Sequence, residues 1–355
     1  MMKSITSQDL IAAFEDTLAC ANSFVLSQRT RQSMMLTDVY ESGFCSRIRR
    51  FDRNGKLCFL PMTTFQAARA IYRWQENASV SWQEMPCLRL QDDGKQSDRK
   101  DSDSDTIPLS PAGNTSSFMK DACCKSPNSD SRDPSTEKIE RIAVLNFANP
   151  VEPGGGVRWG AVAQEECLCR SSNLYPSLSQ EKVRHAFYHQ HVGAGQTSAS
   201  DRVVYVHDVV IFKSDDILPM NLSLEDWMQV DVLTCAAPYY PGLPDRTDAS
   251  LLDLYRSRVR NIFECALANQ IDALVLGAFG CGAFQNPPYL MAMAFCDAIK
   301  EQKYLEAFSV IAFAIPEDGG RSSQNLRSFQ NVFVQRFQPS CFENGSHERK
   351  FLLKQ

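Results

Sequence analysis

Apolar residues recur along this chain in two rhythms. One is a short unbroken run bounded by turn residues, the pattern of strands buried on both faces. Residues 141–148 (with Ile142 to Phe147 at the centre), 203–212, 230–236, 273–277 and 308–315 follow it, and 57–60 is a shorter example. The 203–212 stretch reads as a pair of strands or as one broken strand. The second rhythm is helical. Residues 8–26 set Leu10, Ile11, Phe14, Leu18 and Ala21 on one face, with Ser7 as the cap. Thr63 and Thr64 precede a helix carrying Phe65, Ala68, Ile71, Tyr72 and Trp74. Residues 249–269 repeat the pattern with Leu251, Leu254, Tyr255, Val259, Ile262, Phe263 and Ala266. Further helices are predicted over 161–172, 289–302 and 325–334. From residue 140 onward strands alternate with helices, which predicts an α/β sandwich around a largely parallel sheet.

The pattern lapses between 91 and 138. Ser, Asp, Lys, Pro and Asn dominate there, as in Asp101-Ser-Asp-Ser-Asp105, and such a segment buries too little apolar area to offset its ordering entropy. It is expected to be a disordered insertion, a plain linker in preference to a phosphorylation-regulated tether. Elsewhere the 43% hydrophobic content supports a sizeable core. A net charge of −5 gives no sign of a general nucleic-acid-binding surface. The 13 cysteines contain no Cys-x-x-Cys pair and read as free thiols of a reducing compartment. The first residues lack the apolar stretch of a signal peptide, and no run approaches the ~18 apolar residues of a membrane span. A soluble cytoplasmic or nuclear protein, monomeric and away from membranes, is expected.

Chemistry concentrates in one stretch. Gly154-Gly155-Gly156 follows the 141–148 strand, and Gln164-Glu165-Glu166 comes seven residues later at the start of a helix. Consecutive glycines permit positive φ and close backbone approach to a ligand. A strand, a glycine turn and a helix start together make an anion cradle. Two adjacent carboxylates are out of place if holding phosphate is the only task, so chemistry on a phosphate-bearing ligand is expected. A second glycine turn, Gly280-Cys-Gly-Ala-Phe284, ends the 273–277 strand. Ligands of parallel sheets bind beyond the carboxyl ends of the strands, so both turns should face one cleft.

These motifs are specific enough to suggest a family. Asn149, then Pro-Gly-Gly-Gly156, seven residues and Gln-Glu-Glu166 resembles the signature of poly(ADP-ribose) glycohydrolases. The spacing, and the Leu276-Gly-Ala-Phe-Gly-Cys-Gly-Ala-Phe-Gln-Asn286 region, most resemble the microbial-type branch. Thr63 to Arg69 resembles that branch's N-terminal helix. The resemblance implies a macrodomain-like three-layer α/β/α sandwich with a mixed, largely parallel central sheet and an N-terminal helical extension. In that scheme 1–90 is an accessory part of the catalytic unit, 91–138 the insertion, 139–340 the core and 341–355 a tail. It also implies hydrolysis of ribose–ribose O-glycosidic bonds of poly(ADP-ribose), releasing ADP-ribose from chain ends, with no metal or other cofactor. Poly(ADP-ribose) or ADP-ribosylated protein is the implied substrate.

By position, Glu166 matches the catalytic acid, Glu165 the carboxylate that orients the ribose, and Asn149 a distal-ribose contact, with Gln164 beside them as a further substrate-binding residue. Gly154, Gly155 and Gly156, with Gly280, Gly282, Ala283 and Phe284, match loops that grip the diphosphate. Phe284 is expected to pack on a ribose and Phe329 to stack on the adenine. Gln285 and Val206-His207 depart from the branch's pattern, which commonly has Gly and Ser-Pro there.

Adjacent Cα atoms lie about 3.8 Å apart, too close for carboxylates that flank a sugar as separate acid and base. Glu166 is therefore expected to be protonated at rest and Glu165 ionised, with mutual repulsion and unequal burial separating them. A hydrolase of single ADP-ribose units and a non-catalytic ADP-ribose reader are the competing readings. His185, His189 and His191 read as a solvated helix end rather than a metal site, and Cys281 as a packing residue. Trp159 either lines the cleft or packs inward.

Overall fold

The computed structural model describes residues 4–47, 53, 55–76, 87–88, 138–191 and 199–337. The 91–137 stretch and the 341–355 tail lie outside the described residues. In chain order the elements are α1 (Ser7–Ala21), α2 (Ser27–Met35), β1 (Asp38–Tyr40), β2 (Lys56–Leu60), α3 (Thr64–Glu76), β3 (Cys87–Leu88), β4 (Ile142–Phe147), α4 (Gln164–Ser171), α5 (Leu174–Leu178), α6 (Glu181–Val183), β5 (Val203–Ile211), β6 (Met228–Cys235), α7 (Asp248–Ala268), β7 (Ala273–Leu276), α8 (Pro288–Glu301), β8 (Val310–Ala314) and α9 (Arg321–Phe337). The eight strands form one sheet in the order β1-β5-β6-β4-β7-β8-β2-β3. The five central strands, β6 to β2 in that order, are mutually parallel; β5, β1 and β3 run antiparallel to their neighbours.

Period-two alternation divides the core into two layers. Leu145, Leu233, Leu274, Leu276, Ile311 and Phe313 face α7, α8 and α9, whereas Val144, Val232, Val275 and Ala312 face α1, α3, α4 and α5. This is the α/β/α sandwich that the alternation of elements predicts. The N-terminal part goes beyond a helical extension, because β1 and β2 extend the sheet on opposite sides. The expected 8–26 helix ends early, at Ala21, and a separate helix, α2, begins beyond it at Ser27. The cap is Thr6, whose side chain accepts from the Asp9 N–H while Asp9 reaches back to the Thr6 N–H. Residues 203–211 are one strand with a bulge between Val206 and Val209, where Asp208 takes φ 54°.

Phe329 corrects an expectation. It lies on α9 with no exposed surface, its ring 5.5 Å from Phe313 and 6.4 Å from Phe295. Both ring faces belong to the core, and none is left to stack on an adenine.

Candidate active site

β4 and β7 pair in parallel, so the turns that follow them emerge on the same edge of the sheet. Phe147 at the end of β4 and Phe279 beyond β7 lie 5.7 Å apart and close the floor between them. Gly277 permits this approach, since a Cβ there would lie 2.8 Å from Phe147 Cζ.

The two glycine turns differ in what their N–H groups do. In the first, Gly154 (φ 69°) and Gly155 (φ 57°) are left-handed. Gly155 N–H donates to Glu152 O at 2.9 Å and Gly156 N–H to Glu166 Oε1 at 2.7 Å, and the Gly154 backbone favours the charged form of the Glu165 carboxyl. These two donors are therefore turned inward, onto Glu152 O and Glu166, rather than presented to a diphosphate as expected. A Cβ on Gly155 would strike Glu166 Oε1 and lie 3.1 Å from Glu165 Oε2, so both carboxyl groups lie directly beneath that residue. In the second turn, the N–H groups of Gly280, Gly282, Ala283 and Phe284 have no acceptor among the described residues. That turn has the open cradle.

Asn286 builds the second turn. Its Oδ1 accepts from Tyr255 OH at 2.7 Å, and its Nδ2 donates to Pro238 O at 2.8 Å and Gly280 O at 3.0 Å. Gly280 (φ 70°) has no room for a Cβ, which would collide with Ala237 Cβ and the Asn286 amide. Gln285 sits at φ 59°, in the left-handed region that favours glycine. Phe284 is half-buried and meets Tyr239 edge-on at 5.9 Å. Gly282 and Ala283 are exposed. Cys281 is buried, with its thiol toward Phe279 O and its pKa raised by burial, in keeping with a packing residue.

The glutamates begin α4, and both are buried. Glu165 Oε2 accepts from Asn149 N–H at 2.7 Å and Oε1 from Asn146 Nδ2 at 3.2 Å. Each of its two oxygens thus has a donor from the protein. Glu166 presents a different face. Oε1 is held by Gly156, whereas Oε2 is buried and has no hydrogen-bond partner among the described residues. Asn149 Oδ1 accepts from Val151 and Glu152 N–H at 2.9 and 3.0 Å, closing the turn and leaving its amide nitrogen for another partner. Gln164 was expected to touch substrate and does not have the atoms to spare. Its Oε1 accepts from Phe147 N–H at 2.8 Å, and its Nε2 donates to Leu145 O at 2.7 Å and Thr64 Oγ1 at 3.0 Å. It braces α4 against β4 and α3.

Burial pushes the Glu165 carboxyl up to about 8; the Asn149 N–H pulls it back, and the charge of Glu166 adds to the rise. Burial thus works against the ionised state expected of Glu165, whereas the N–H donors of Asn149 and Asn146 work for it. Between its ordinary 4.5 and about 8 the folded protein keeps a proton that the unfolded chain releases, so stability falls as pH rises through this window. Melting temperatures at pH 5, 6.5 and 8 should show that fall, and Glu165→Gln should flatten it. An equally steep fall in the variant would assign it to other groups.

Two further site residues escape motif reading. Asn146 is fully buried in β4 and carries Glu165 and Thr234 Oγ1 on its amide. Its signal is a lone polar residue inside the apolar run Ile-Ala-Val-Leu-Asn-Phe. Arg170, also fully buried, donates to Ala161 O at 2.6 Å and so ties the end of the first loop to α4. Trp159 is 63% exposed and does not pack inward. The histidines separate: His185 and His189 are exposed, and His191 is buried, contrary to a solvated helix end for all three. Among the described residues no three His, Cys, Asp or Glu side chains converge as a metal-binding group, and no helix is long and apolar enough to cross a membrane.

A buried carboxylate pair under a glycine loop, on the strand ends of an α/β/α sandwich, defines a class of site, and comparison with known proteins gives it a family context. Residues 125–214, about a quarter of the chain, match the family model described as microbial-type PARG, catalytic domain. That span includes the first glycine loop and both glutamates. Among solved structures the chain is similar to poly(ADP-ribose) glycohydrolase from Thermomonospora curvata, at 21% identity over 92% of this chain and 100% of that one, with a TM-score of 0.63. The complex of the Thermomonospora curvata enzyme with the inhibitor ADP-HPD gives 21% identity, the same coverages and a TM-score of 0.62. The enzyme from Deinococcus radiodurans in complex with ADP-ribose gives 23% identity over 86% of this chain and 97% of that one, with a TM-score of 0.60. A comparison with curated protein sequences gave no significant match. The sequence resemblance to microbial-type poly(ADP-ribose) glycohydrolases thus has support from a family model and from the fold.

Proposed function

We propose that this protein is a poly(ADP-ribose) glycohydrolase, a glycosidase that hydrolyses ribose–ribose O-glycosidic bonds from chain ends, with Glu166 as general acid and base. The observation that carries the assignment of the acid is Glu166 Oε2, the one carboxyl oxygen of the pair without a hydrogen-bond partner among the described residues. Glu165, held by Asn146 and the Asn149 N–H, keeps a ribose in place together with the Asn149 amide. The open N–H groups from Gly280 to Phe284 receive the diphosphate, and the Phe284 ring lies against a ribose. ADP-ribose in the Deinococcus radiodurans complex supports the ligand class.

In the reaction the C–O bond from the anomeric carbon to the leaving ribose breaks as Glu166 donates its proton to the leaving oxygen. An oxocarbenium-like sugar forms, and water adds to the anomeric carbon. The water gives its proton to Glu166, which restores the acid. The pair holds one proton at neutral pH because burial disfavours two adjacent charges. The step uses side chains and the substrate's own diphosphate, with no metal. The protein acts as a monomer in the cytoplasm or nucleus in this reading.

Incubation with poly(ADP-ribose) and, separately, with mono-ADP-ribosylated protein tests it. Free ADP-ribose is expected from the polymer. Release only from the mono-modified protein would replace the reading with a mono-ADP-ribosyl hydrolase, and release from neither would leave a binding module.

A further inference from the structure

His191 is the only buried histidine among the described residues, and the reaction above does not use it. Its ring stands edge-on to Phe187 at 5.1 Å. Nδ1 lies 2.9 Å from the Pro150 carbonyl oxygen and Nε2 lies 2.6 Å from Ser200 Oγ. A carbonyl can only accept, so Nδ1 carries the proton, and Nε2 of the neutral ring accepts from the Ser200 hydroxyl. Burial lowers the His191 pKa, in keeping with a neutral ring.

Pro150 follows Asn149 and has no N–H of its own, so its carbonyl is the backbone group by which the turn can be held at that residue. The turn is otherwise closed on itself: Asn149 Oδ1 accepts from residues 151 and 152, and Glu152 O accepts from Gly155 N–H. Its inner side touches the site through the 2.7 Å bond from Asn149 N–H to Glu165 Oε2. We propose that His191 is a positioning residue that fixes the Asn149–Glu152 turn from behind through Pro150 O, and thereby sets Glu165 and the Asn149 amide for ribose binding. It does not touch substrate. Glu166 is held from the other end of the loop by Gly156, so His191 governs binding more than proton transfer.

This inference rests on the ADP-ribose reading of the site. The test compares H191N with H191Q in the full chain. The Asn amide nitrogen replaces the donating Nδ1 and keeps the Pro150 bond; the Gln amide oxygen replaces the accepting Nε2 and keeps only the Ser200 side. H191Q should bind ADP-ribose about tenfold more weakly, the factor equivalent to about 1.4 kcal/mol, and raise KM with kcat little changed. H191N should stay close to wild type in both. Equal ADP-ribose affinity in the two variants, whether both normal or both weakened, overturns the proposal, because a packing role makes no distinction between them. Nitrogen NMR of the wild-type protein gives an answer independent of how the variants fold: a protonated Nδ1 is expected, and a protonated Nε2 overturns it. If wild-type protein binds no ADP-ribose, the proposed function fails instead, and the NMR result still reads the Pro150 bond.

Discussion

Glu166→Gln is expected to lower turnover of poly(ADP-ribose) by about 10²–10⁴-fold, the range that a positioned general acid contributes, while ADP-ribose affinity stays near wild type. The amide is nearly isosteric, and its oxygen can still accept from Gly156 N–H, the 2.7 Å bond that orients the carboxyl group. What disappears is the transferable proton on the second oxygen. Steady-state kinetics with polymer and calorimetry with ADP-ribose separate the two effects. Near-normal turnover would remove Glu166 from the proton-transfer step. Loss of binding together with turnover would mean that the residue holds the ligand or the loop, not that it supplies the acid.

That separation depends on features the sequence reveals unevenly. The sheet and its layers were legible because buried parallel strands leave long apolar runs, and the two glycine turns mark where those runs end. The glutamate pair was legible because two adjacent carboxylates at a helix start are chemically conspicuous. The direction of the N–H groups was not. Both turns are glycine-rich, yet the first spends donors on Glu152 O and Glu166 whereas the second leaves four without an acceptor among the described residues. The difference lies in backbone dihedrals and in which side chains curl beneath, and neither has a one-dimensional pattern. Gln164 shows the same limit, since its three hydrogen bonds join residues 64, 145 and 147, which come together only in the fold. Phe329 failed for a simpler reason: an aromatic residue on an amphipathic helix reads identically whether its ring meets a ligand or a core. Asn146 gave the opposite case, a legible signal that motif reading passed over.

The inward turn of the first loop gives Gly155→Ala the second large expected effect. Gly155 adopts φ 57°, a left-handed conformation that costs an L-residue about 1–2 kcal/mol before any contact is considered. The added methyl would then collide with Glu166 Oε1 and crowd Glu165 Oε2 at 3.1 Å. Neither carboxylate has an easy retreat. Glu165 is fixed by Asn146 and Asn149, and Glu166 can move only by giving up its bond to Gly156. Displacing a catalytic group by about 1 Å costs on the order of 10²-fold in rate, so turnover should fall at least that far, with weaker ADP-ribose binding and a lower melting temperature. Gly282→Ala is the control. A Cβ at Gly282 meets nothing within 4 Å and its φ is not left-handed, so the folded protein should tolerate it. If both alanines behaved alike, the first loop would be an ordinary flexible turn. A large loss at 155 with folding preserved at 282 would identify Gly155 as the residue whose missing side chain leaves the two glutamates their place.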